Sequence, residues 1–235
     1  MNMAIGQPRP NHIAELTVGT RLPLDQINDA HLSVILETIS LAWSDLLAGG
    51  APALLSGNEA EVNALLEPRL NHLCQTQPLW KDLIHSVHRG RESMSYNGAK
   101  IEGRPDLSLV FTAGNRNFPL SVECKIIDYP NAKRVGLYCT NGIARFVAGE
   151  YAWAHRTAIM LAYVRDGSSV TTRLVPHLAK CATASPDAMQ TISQPAPRLD
   201  IHPTVQHSSH QRNFSYLSKA GDTPPGPINL FHLWL

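Results

Sequence analysis

The sequence is short of several features that would place it in a large class of proteins. Its four cysteines are scattered and form no C-x-x-C pair, so neither a disulfide framework nor a cysteine-rich zinc module is indicated. Residues 1–23 hold polar and proline residues where a secretory signal has an apolar run, and no apolar run reaches the length of a membrane span. We therefore expect reduced thiols, no contact with a membrane and a cytoplasmic location.

Strong charge is also missing, since the formal net charge of the 235 residues is +1. No overall field therefore points to nucleic acid or to a membrane, although a local basic groove is compatible with a balanced total. The sequence has no P-loop, no G-x-G-x-x-G and no G-x-S-x-G motif, which leaves nucleotide-binding folds and serine hydrolases without support. A chain of this length can still form one domain with a sizeable core.

What the sequence does have is a succession of helical and β patterns, which indicates an α/β domain. Apolar residues at helical spacing predict one helix over about 27–47, capped by Asn28 or Asp29, and a second over about 59–73. Further helices are predicted over about 80–87, 140–155 (capped by Thr140 or Asn141) and 169–184. Strands are predicted over 106–111, 118–127, 158–164, 207–216 and 228–235, with 1–24 and 185–206 mostly irregular.

The runs 106–111 and 118–127 are joined by a loop with Gly-Asn at its centre, which predicts an antiparallel hairpin. Because strand side chains alternate between two faces, Glu123 and Lys125 should share one face while their apolar neighbours occupy the other. A turn centred near residues 114 and 115 places Asp106 opposite the Glu123 region. We therefore expect three charged side chains to converge, and charges inside a strand are costly unless they are paired or bind a metal.

The predicted helix 59–73 adds a fourth candidate. At 100° per residue, Glu59 falls within roughly 40° of the centre of the apolar stripe, whereas Glu61 and Glu67 lie about 120° away. Glu59 is therefore expected to face inward near the start of the helix. The alternative is that it only compensates the helix dipole, since acids are favourable in a first turn in any case.

Together these features resemble the PD-(D/E)XK nuclease superfamily. The residues that carry the resemblance are Asp106 after a proline, Glu123-x-Lys125 on the hairpin and the inward Glu59 on the preceding helix. A helix and a buried strand then follow the hairpin as a parallel crossover. The resemblance covers about residues 57–165.

The resemblance implies a fold as well as a site. This is the restriction-endonuclease-like fold, an α/β fold in which a mixed-sheet core is flanked by helices. Residues 1–56 would be an N-terminal arm and helical extension, 57–165 the core, and 166–235 an irregular C-terminal β extension. The whole chain, 1–235, would then form a single domain.

The same resemblance implies a Mg²⁺-dependent endonuclease that hydrolyses phosphodiester bonds in DNA, with Mn²⁺ as an alternative metal. Asp106 and Glu123 would bind the metal together with the backbone carbonyl of Cys124. Lys125 would orient or help to deprotonate the attacking water and stabilise developing charge, and Glu59 would be a further carboxylate of the site. Restriction, defence against foreign DNA or repair would be the setting, with a homodimer or a partner subunit where both strands are cut.

Five cations are candidates for contact with nucleic acid. Arg89 and Arg91 belong to a basic segment that the pattern predicts as a loop. Lys133 and Arg134 lie in the polar loop after the hairpin, and Arg145 lies on the predicted crossover helix, where it could contact the scissile phosphate. For each of them the alternative is an ordinary solvated side chain.

Other interpretations stay open. The charges of the hairpin could form a cross-strand salt bridge on an exposed edge, and the same fold could serve as a non-catalytic module that binds nucleic acid or a partner protein. His202, His207 and His210 also raise the question of zinc, but no cysteine or carboxylate stands at a partner spacing.

Overall fold

The computed structural model describes residues 10–99, 103–216 and 223–235. In these residues the chain forms seven strands and flanking helices, which confirms the α/β class. The strands are β1 (Ile84–Arg89), β2 (Leu107–Phe111), β3 (Leu120–Ile127), β4 (Thr157–Val164), β5 (Thr191–Pro197), β6 (Gln206–His210) and β7 (Ile228–Trp234). The helices are α1 (Pro10–Leu16), α2 (Asp29–Ala48), α3 (Pro52–Ser56), α4 (Glu59–Thr76), α5 (Pro78–Leu83), α6 (Val135–Tyr138), α7 (Ala144–Val147) and α8 (Val175–Ala182), with π-helical turns at Cys139–Ile143 and Val170–Leu174.

The strands form one open mixed sheet in the order β1-β2-β3-β4-β7-β6-β5. β2 and β3 pair antiparallel with Leu107 opposite Val122, which confirms the predicted hairpin and its register. β3 and β4 run parallel because α6, a π-helical turn and α7 carry the chain back between them, as the predicted crossover requires. β4 and β7 are also parallel, so the centre of the sheet is parallel and its outer pairs are antiparallel.

Each face of the sheet is covered by helices because both faces of its central strands are apolar. On one face, Val122, Cys124 and Ile126 of β3 pack with α2 and α4. On the other face, Met160 and Ala162 of β4 pack with α6, α7 and α8. The charged side chains of β3 alternate with its apolar ones and therefore belong to this second face.

Helix α2 is long and apolar enough to cross a membrane by length and composition, with a mean hydropathy of 1.2. The expectation that no segment reaches this length is therefore wrong on that criterion, because a mean value tolerates the polar residues that interrupt the apolar run. In the structure, Ile35, Leu36 and Ile39 of α2 are fully buried and pack against α4 and the sheet. One face of α2 therefore packs in the core, and 39% of its apolar window is buried in all.

The sequence pattern predicts a single crossover helix over 140–155, and this prediction is wrong at both ends. Helical structure begins with α6 and widens into the first π-helical turn, so Thr140 and Asn141 lie inside that turn rather than at a cap. α7 ends at Val147. The early end follows from Gly149, whose φ of 67° is incompatible with a helix interior.

Four other segments differ from their predictions. β1 occupies the end of the predicted helix 80–87 and the basic segment after it. β5 lies within 185–206, predicted as loop, because an edge strand tolerates two prolines where a central strand would lose ladder hydrogen bonds. β6 ends at His210, earlier than expected. α1 lies within the arm 1–24, the first nine residues of which are outside the described part of the chain.

Candidate active site

The candidate site lies on β3, beyond the point where β2 stops. β2 pairs with β3 only as far as Val122, so the backbone N–H groups of Cys124 and Ile126 face no strand. Asp106 fills part of this gap, since its Oδ2 accepts a hydrogen bond from Cys124 N at 2.8 Å. Glu59, the first residue of α4, fills the rest, since its Oε1 accepts from Ile126 N at 3.2 Å. Two carboxylates thus accept the hydrogen bonds that a neighbouring strand would otherwise accept from β3.

The ammonium of Lys125 connects four oxygen-bearing groups at this edge. Its Nζ donates to the backbone carbonyl of Cys124 at 2.7 Å and to Glu123 Oε1 at 2.9 Å. It also lies 3.4 Å from Glu59 Oε2 and 3.5 Å from Asp106 Oδ2. Burial alone would lower the pKa of Lys125, but the carboxylates of Glu123, Asp106 and Glu59 outweigh it and raise that pKa. The structure thus brings together the four catalytic candidates chosen from the sequence.

Glu123 is the most deeply buried carboxylate of this cluster, with 1% of its side chain exposed. Its Oε2 accepts a 2.6 Å hydrogen bond from the Tyr151 hydroxyl, and its Oε1 accepts from Arg145 Nη1 at 3.3 Å as well as from Lys125. Burial and then the charge of Asp106 raise the pKa of Glu123 to about 7, against the opposing effect of Lys125. The charged form of this carboxylate therefore depends on cations beside it.

The crossover reaches Glu123 because its π-helical turn contains Gly142. A Cβ at this position would lie 2.5 Å from Met160 Cε and 3.6 Å from Glu123 Cγ. A larger residue would displace Met160 or the turn itself, and with the turn the helix α7, which carries Arg145. Close approach of the crossover, rather than helix propensity, is the reason for glycine here.

Two residues that the sequence analysis missed fix the position of the Asp106 side chain. Asn63 Nδ2 donates to Asp106 Oδ1 at 3.2 Å, and the Tyr163 hydroxyl donates to Asn63 Oδ1 at 2.6 Å, with the Tyr163 ring stacked on Trp43. Burial raises the pKa of Asp106, and the nearby ammonium opposes this rise. A signal for Asn63 did exist, because it follows Glu59 by four residues and is a polar residue in the buried stripe of α4.

The cluster lies at the bottom of a cleft of about 440 Å³. The rim of the cleft carries Lys133 and Arg145, two of the five predicted nucleic-acid contacts, together with Arg104, which was not among them. Arg104 pairs with Glu92 at 2.5 Å. Arg134 is exposed at the start of α6 and is not among the described residues that line the cleft.

Arg89 and Arg91 lie elsewhere, at a shallower depression over β1. Arg89 Nε is 3.5 Å from Glu67 Oε2, so part of its charge is compensated. The basic segment predicted as a loop is thus a strand as far as Arg89, and Arg91 follows the strand. The other basic or imidazole side chains that line this depression are His85, His88 and Arg116.

The oxygen atoms around Lys125 Nζ are of the kind that a hard divalent cation prefers. They include the carboxylates of Asp106 and Glu123 and the carbonyl of Cys124. Within 10–99, 103–216 and 223–235, no three His, Cys, Asp or Glu side chains come close enough to hold a metal ion by themselves. Mg²⁺ commonly takes only one or two carboxylates and completes its shell with other oxygens and water, so these residues fit it.

The three histidines considered for zinc do not form a site in the described part of the chain. His202 Nε2 lies 3.3 Å from Ser40 Oγ, and His207 packs against the ring of Phe231. His210 is hydrogen-bonded inside the protein. His207 and His210 are three apart on one strand and therefore point to opposite faces.

No family model matches the chain, and no curated protein or solved structure shows significant similarity to it. Its function must therefore be inferred from the chemistry of the cleft.

Proposed function

We propose that this protein is a metal-dependent nuclease of the PD-(D/E)XK type, with the restriction-endonuclease-like fold, and that it hydrolyses phosphodiester bonds in DNA. The observation that carries the proposal is the Lys125 ammonium, bound to a carbonyl and surrounded by three carboxylates on the open edge of a hairpin strand. The order of hairpin, helical crossover and parallel central strand is consistent with that fold.

A purely structural salt bridge is a poor explanation of this cluster. A surface ion pair needs one partner of each sign and contributes about 0–1 kcal/mol. Here 1% of the Glu123 side chain and 8% of the Lys125 side chain are exposed, and removing an ion from water costs several kcal/mol before its partners compensate. Gathering two more carboxylates around the same lysine adds to that cost, which favours a site kept for function.

Mg²⁺ held by Asp106, Glu123 and the Cys124 carbonyl would act as a Lewis acid and lower the pKa of a bound water. Lys125 reaches all three of these groups, so its ammonium is placed to orient a water molecule by hydrogen bonding and to offset negative charge on a phosphate. Glu59 lies outside this ligand set. Its carboxylate provides an anchor for Lys125 that does not compete for those oxygens.

Arg104, Lys133 and Arg145 supply positive charge where a phosphate would enter the cleft. Arg145 is suited to a double role, because it already donates to Glu123 and 40% of its side chain remains exposed. Its planar guanidinium has further N–H groups that can donate to a phosphate oxygen. These cations explain how a chain of small net charge could bind an anionic polymer locally.

The test is cleavage of supercoiled plasmid and single-stranded DNA by the full chain in Mg²⁺, in Mn²⁺ and in EDTA. We expect cleavage only with metal, and a loss of about 10²-fold or more in Asp106→Asn, Glu123→Gln and Lys125→Met. Asp45→Asn and Lys81→Met are matched controls on the far side of the sheet, and they should cleave like the wild type. Undiminished cleavage by Asp106→Asn would refute the proposal.

Calorimetric titration with Mn²⁺ separates a nuclease from a non-catalytic module. The wild type should bind the ion and Asp106→Asn should not, because one of the two carboxylate ligands becomes an amide. A chain that binds DNA but takes up no metal at these carboxylates would instead be a binding module with the same fold.

A further inference from the structure

A second cavity lies beside the carboxylate cluster, on the same face of the hairpin. Its volume is about 250 Å³, below the roughly 300–1,000 Å³ of pockets that take drug-sized ligands. Ser108 and Ser121, which pair across β2 and β3, line it. Ser108 follows Asp106 by two residues and Ser121 precedes Glu123 by two, so each serine is about 7 Å from its acidic neighbour along the chain. The cavity therefore begins next to the cleft.

Three buried polar residues are among those that line the cavity. Ser108 is 1% exposed, and its hydroxyl has no hydrogen-bond partner among the described residues. Ser121, opposite it, is also buried. His155 Nε2 donates to the carbonyl of Phe118 at 2.8 Å, which makes Nδ1 the acceptor nitrogen of that ring. A buried hydroxyl without a partner is unfavourable, so a ligand that pairs with it gains affinity.

Aromatic rings and prolines form part of the cavity wall. Phe118 and Trp153 lie edge to face with their ring centroids 5.2 Å apart, and Pro105 and Pro119 add further apolar surface. The Trp153 indole N–H is already used, since it donates to a backbone carbonyl. The charged residues of the lining are Arg91, which is half-buried, and Glu92, which is exposed and pairs with an arginine. The inner part of a ligand should therefore be neutral and planar.

We propose that this cavity receives one nucleobase of the substrate strand, next to the phosphodiester that is cut; the proposal rests on the function proposed above. The ring of a base would pack against Phe118 and Trp153. The edge of the base would donate to His155 Nδ1 and accept from the Ser108 hydroxyl, while the phosphates of the strand stay outside the cavity.

A base can enter such a cavity only after it has left the stacked duplex. The substrate is therefore single-stranded DNA, or duplex DNA with an unpaired or readily opened base beside the cut. This deepens the proposed function by naming the class of substrate, and it assigns Ser108 and His155 to recognition rather than to the chemical step.

The test uses the full chain and single-stranded oligonucleotides in which the cut has been mapped. An abasic residue replaces each nucleotide around the cut in turn, and kcat/KM is measured for the wild type, Ser108→Ala and Thr157→Val. Thr157 is a matched control because its hydroxyl is likewise buried without a partner among the described residues, and it does not line the cavity. At one position, loss of the base should lower kcat/KM about 5- to 150-fold, the range for one stacked base.

Ser108→Ala should lower kcat/KM on the intact strand about 2- to 12-fold, the effect of one hydrogen bond, and should have no further effect on the strand that lacks this base. Thr157→Val should change neither rate. Equal effects of Ser108→Ala on both strands, or cutting that ignores every abasic position, would overturn the inference and leave the nuclease standing.

If the wild type cuts neither plasmid nor single-stranded DNA, the same series is measured as equilibrium binding by fluorescence anisotropy. Binding that depends on one base and loses this dependence in Ser108→Ala would support the cavity although the nuclease proposal had failed. Binding without such dependence, or no binding, would overturn both.

Discussion

Replacing Lys125 by methionine removes the ammonium and keeps a side chain of similar length. Among the described residues, Glu123 then retains Tyr151 and Arg145 as side-chain partners, with 1% of its side chain exposed. The side chains of Glu59 and Asp106 are 34% and 25% exposed and can recover hydration. Removing one partner of a buried ion pair costs about 3–5 kcal/mol where the remaining charge stays uncompensated. The free energy of unfolding in EDTA should therefore fall by up to this amount at alkaline pH, and by less near neutral pH, where Glu123 takes up a proton.

A second substitution identifies the source of that loss. Glu123→Gln in the Lys125→Met background removes the uncompensated charge. The double variant should therefore be more stable than Lys125→Met, and the coupling energy between the two substitutions should be about 2–3 kcal/mol. Divalent metal should also stabilise Lys125→Met, because it brings positive charge to the oxygens that the ammonium has left. At 100 times its dissociation constant the gain is about 2.7 kcal/mol.

Urea denaturation followed by tryptophan fluorescence and circular dichroism measures each of these quantities. Lys81→Met is the control, because Lys81 is exposed on α5 and its loss leaves no buried charge. A loss below about 1 kcal/mol in Lys125→Met would show that the pair behaves as a solvated salt bridge. A double variant no more stable than Lys125→Met would show that Glu123 is not the destabilised group.

Tyr163→Phe removes the donor to Asn63 Oδ1 and should lower the free energy of unfolding by about 1–3 kcal/mol in urea, whereas unchanged stability would mean that water replaces the hydroxyl. Gly149→Ala should lower the free energy of unfolding by about 2–5 kcal/mol, because φ is 67° and the new Cβ would lie 2.5 Å from an aromatic ring carbon. Gly167→Ala is its control: φ is 72° but nothing lies within 4 Å, so the free energy of unfolding should fall only by the backbone strain of about 1–2 kcal/mol. Burial lowers the pKa of His210 to about 4, so the unfolded chain binds this proton first and His210 should contribute a loss of about 3 kcal/mol as pH drops from 6.5 to 4. The free energy of unfolding should therefore change less favourably in the wild type than in His210→Gln across this range, by about that amount, and the same pH dependence in both proteins would contradict the assignment.

The hairpin and the inward carboxylate were predictable because each depends on local periodicity. Turn position and strand alternation place Asp106 opposite Glu123, and the pairing of Leu107 with Val122 agrees with that register. Helical phase places Glu59 on the buried side of α4, where it reaches the edge of β3. Both inferences required only residues within one element or within one hairpin and its connecting loop.

The crossover was less predictable because its shape depends on residues far away in the sequence. The spacing of apolar residues extends a helix to 155, but Gly149 leaves the helical region and packs against Phe214. The prolines of β5 likewise look like loop until the neighbouring strand is known, since an edge strand needs only one partner.

Sequence alone therefore determined the α/β class, the hairpin and the chemical types of residue that could form a site. Tertiary structure decided that Lys125 lies among three carboxylates, that Asn63 and Tyr163 hold one of them, and that Arg104 rather than Arg134 lines the cleft. It also decided that a cavity lies beside them whose lining includes Ser108, a residue with no hydroxyl partner in the described part of the chain. The physical reason is that periodicity reports which way a side chain faces, whereas the packing of separate elements determines what it meets there.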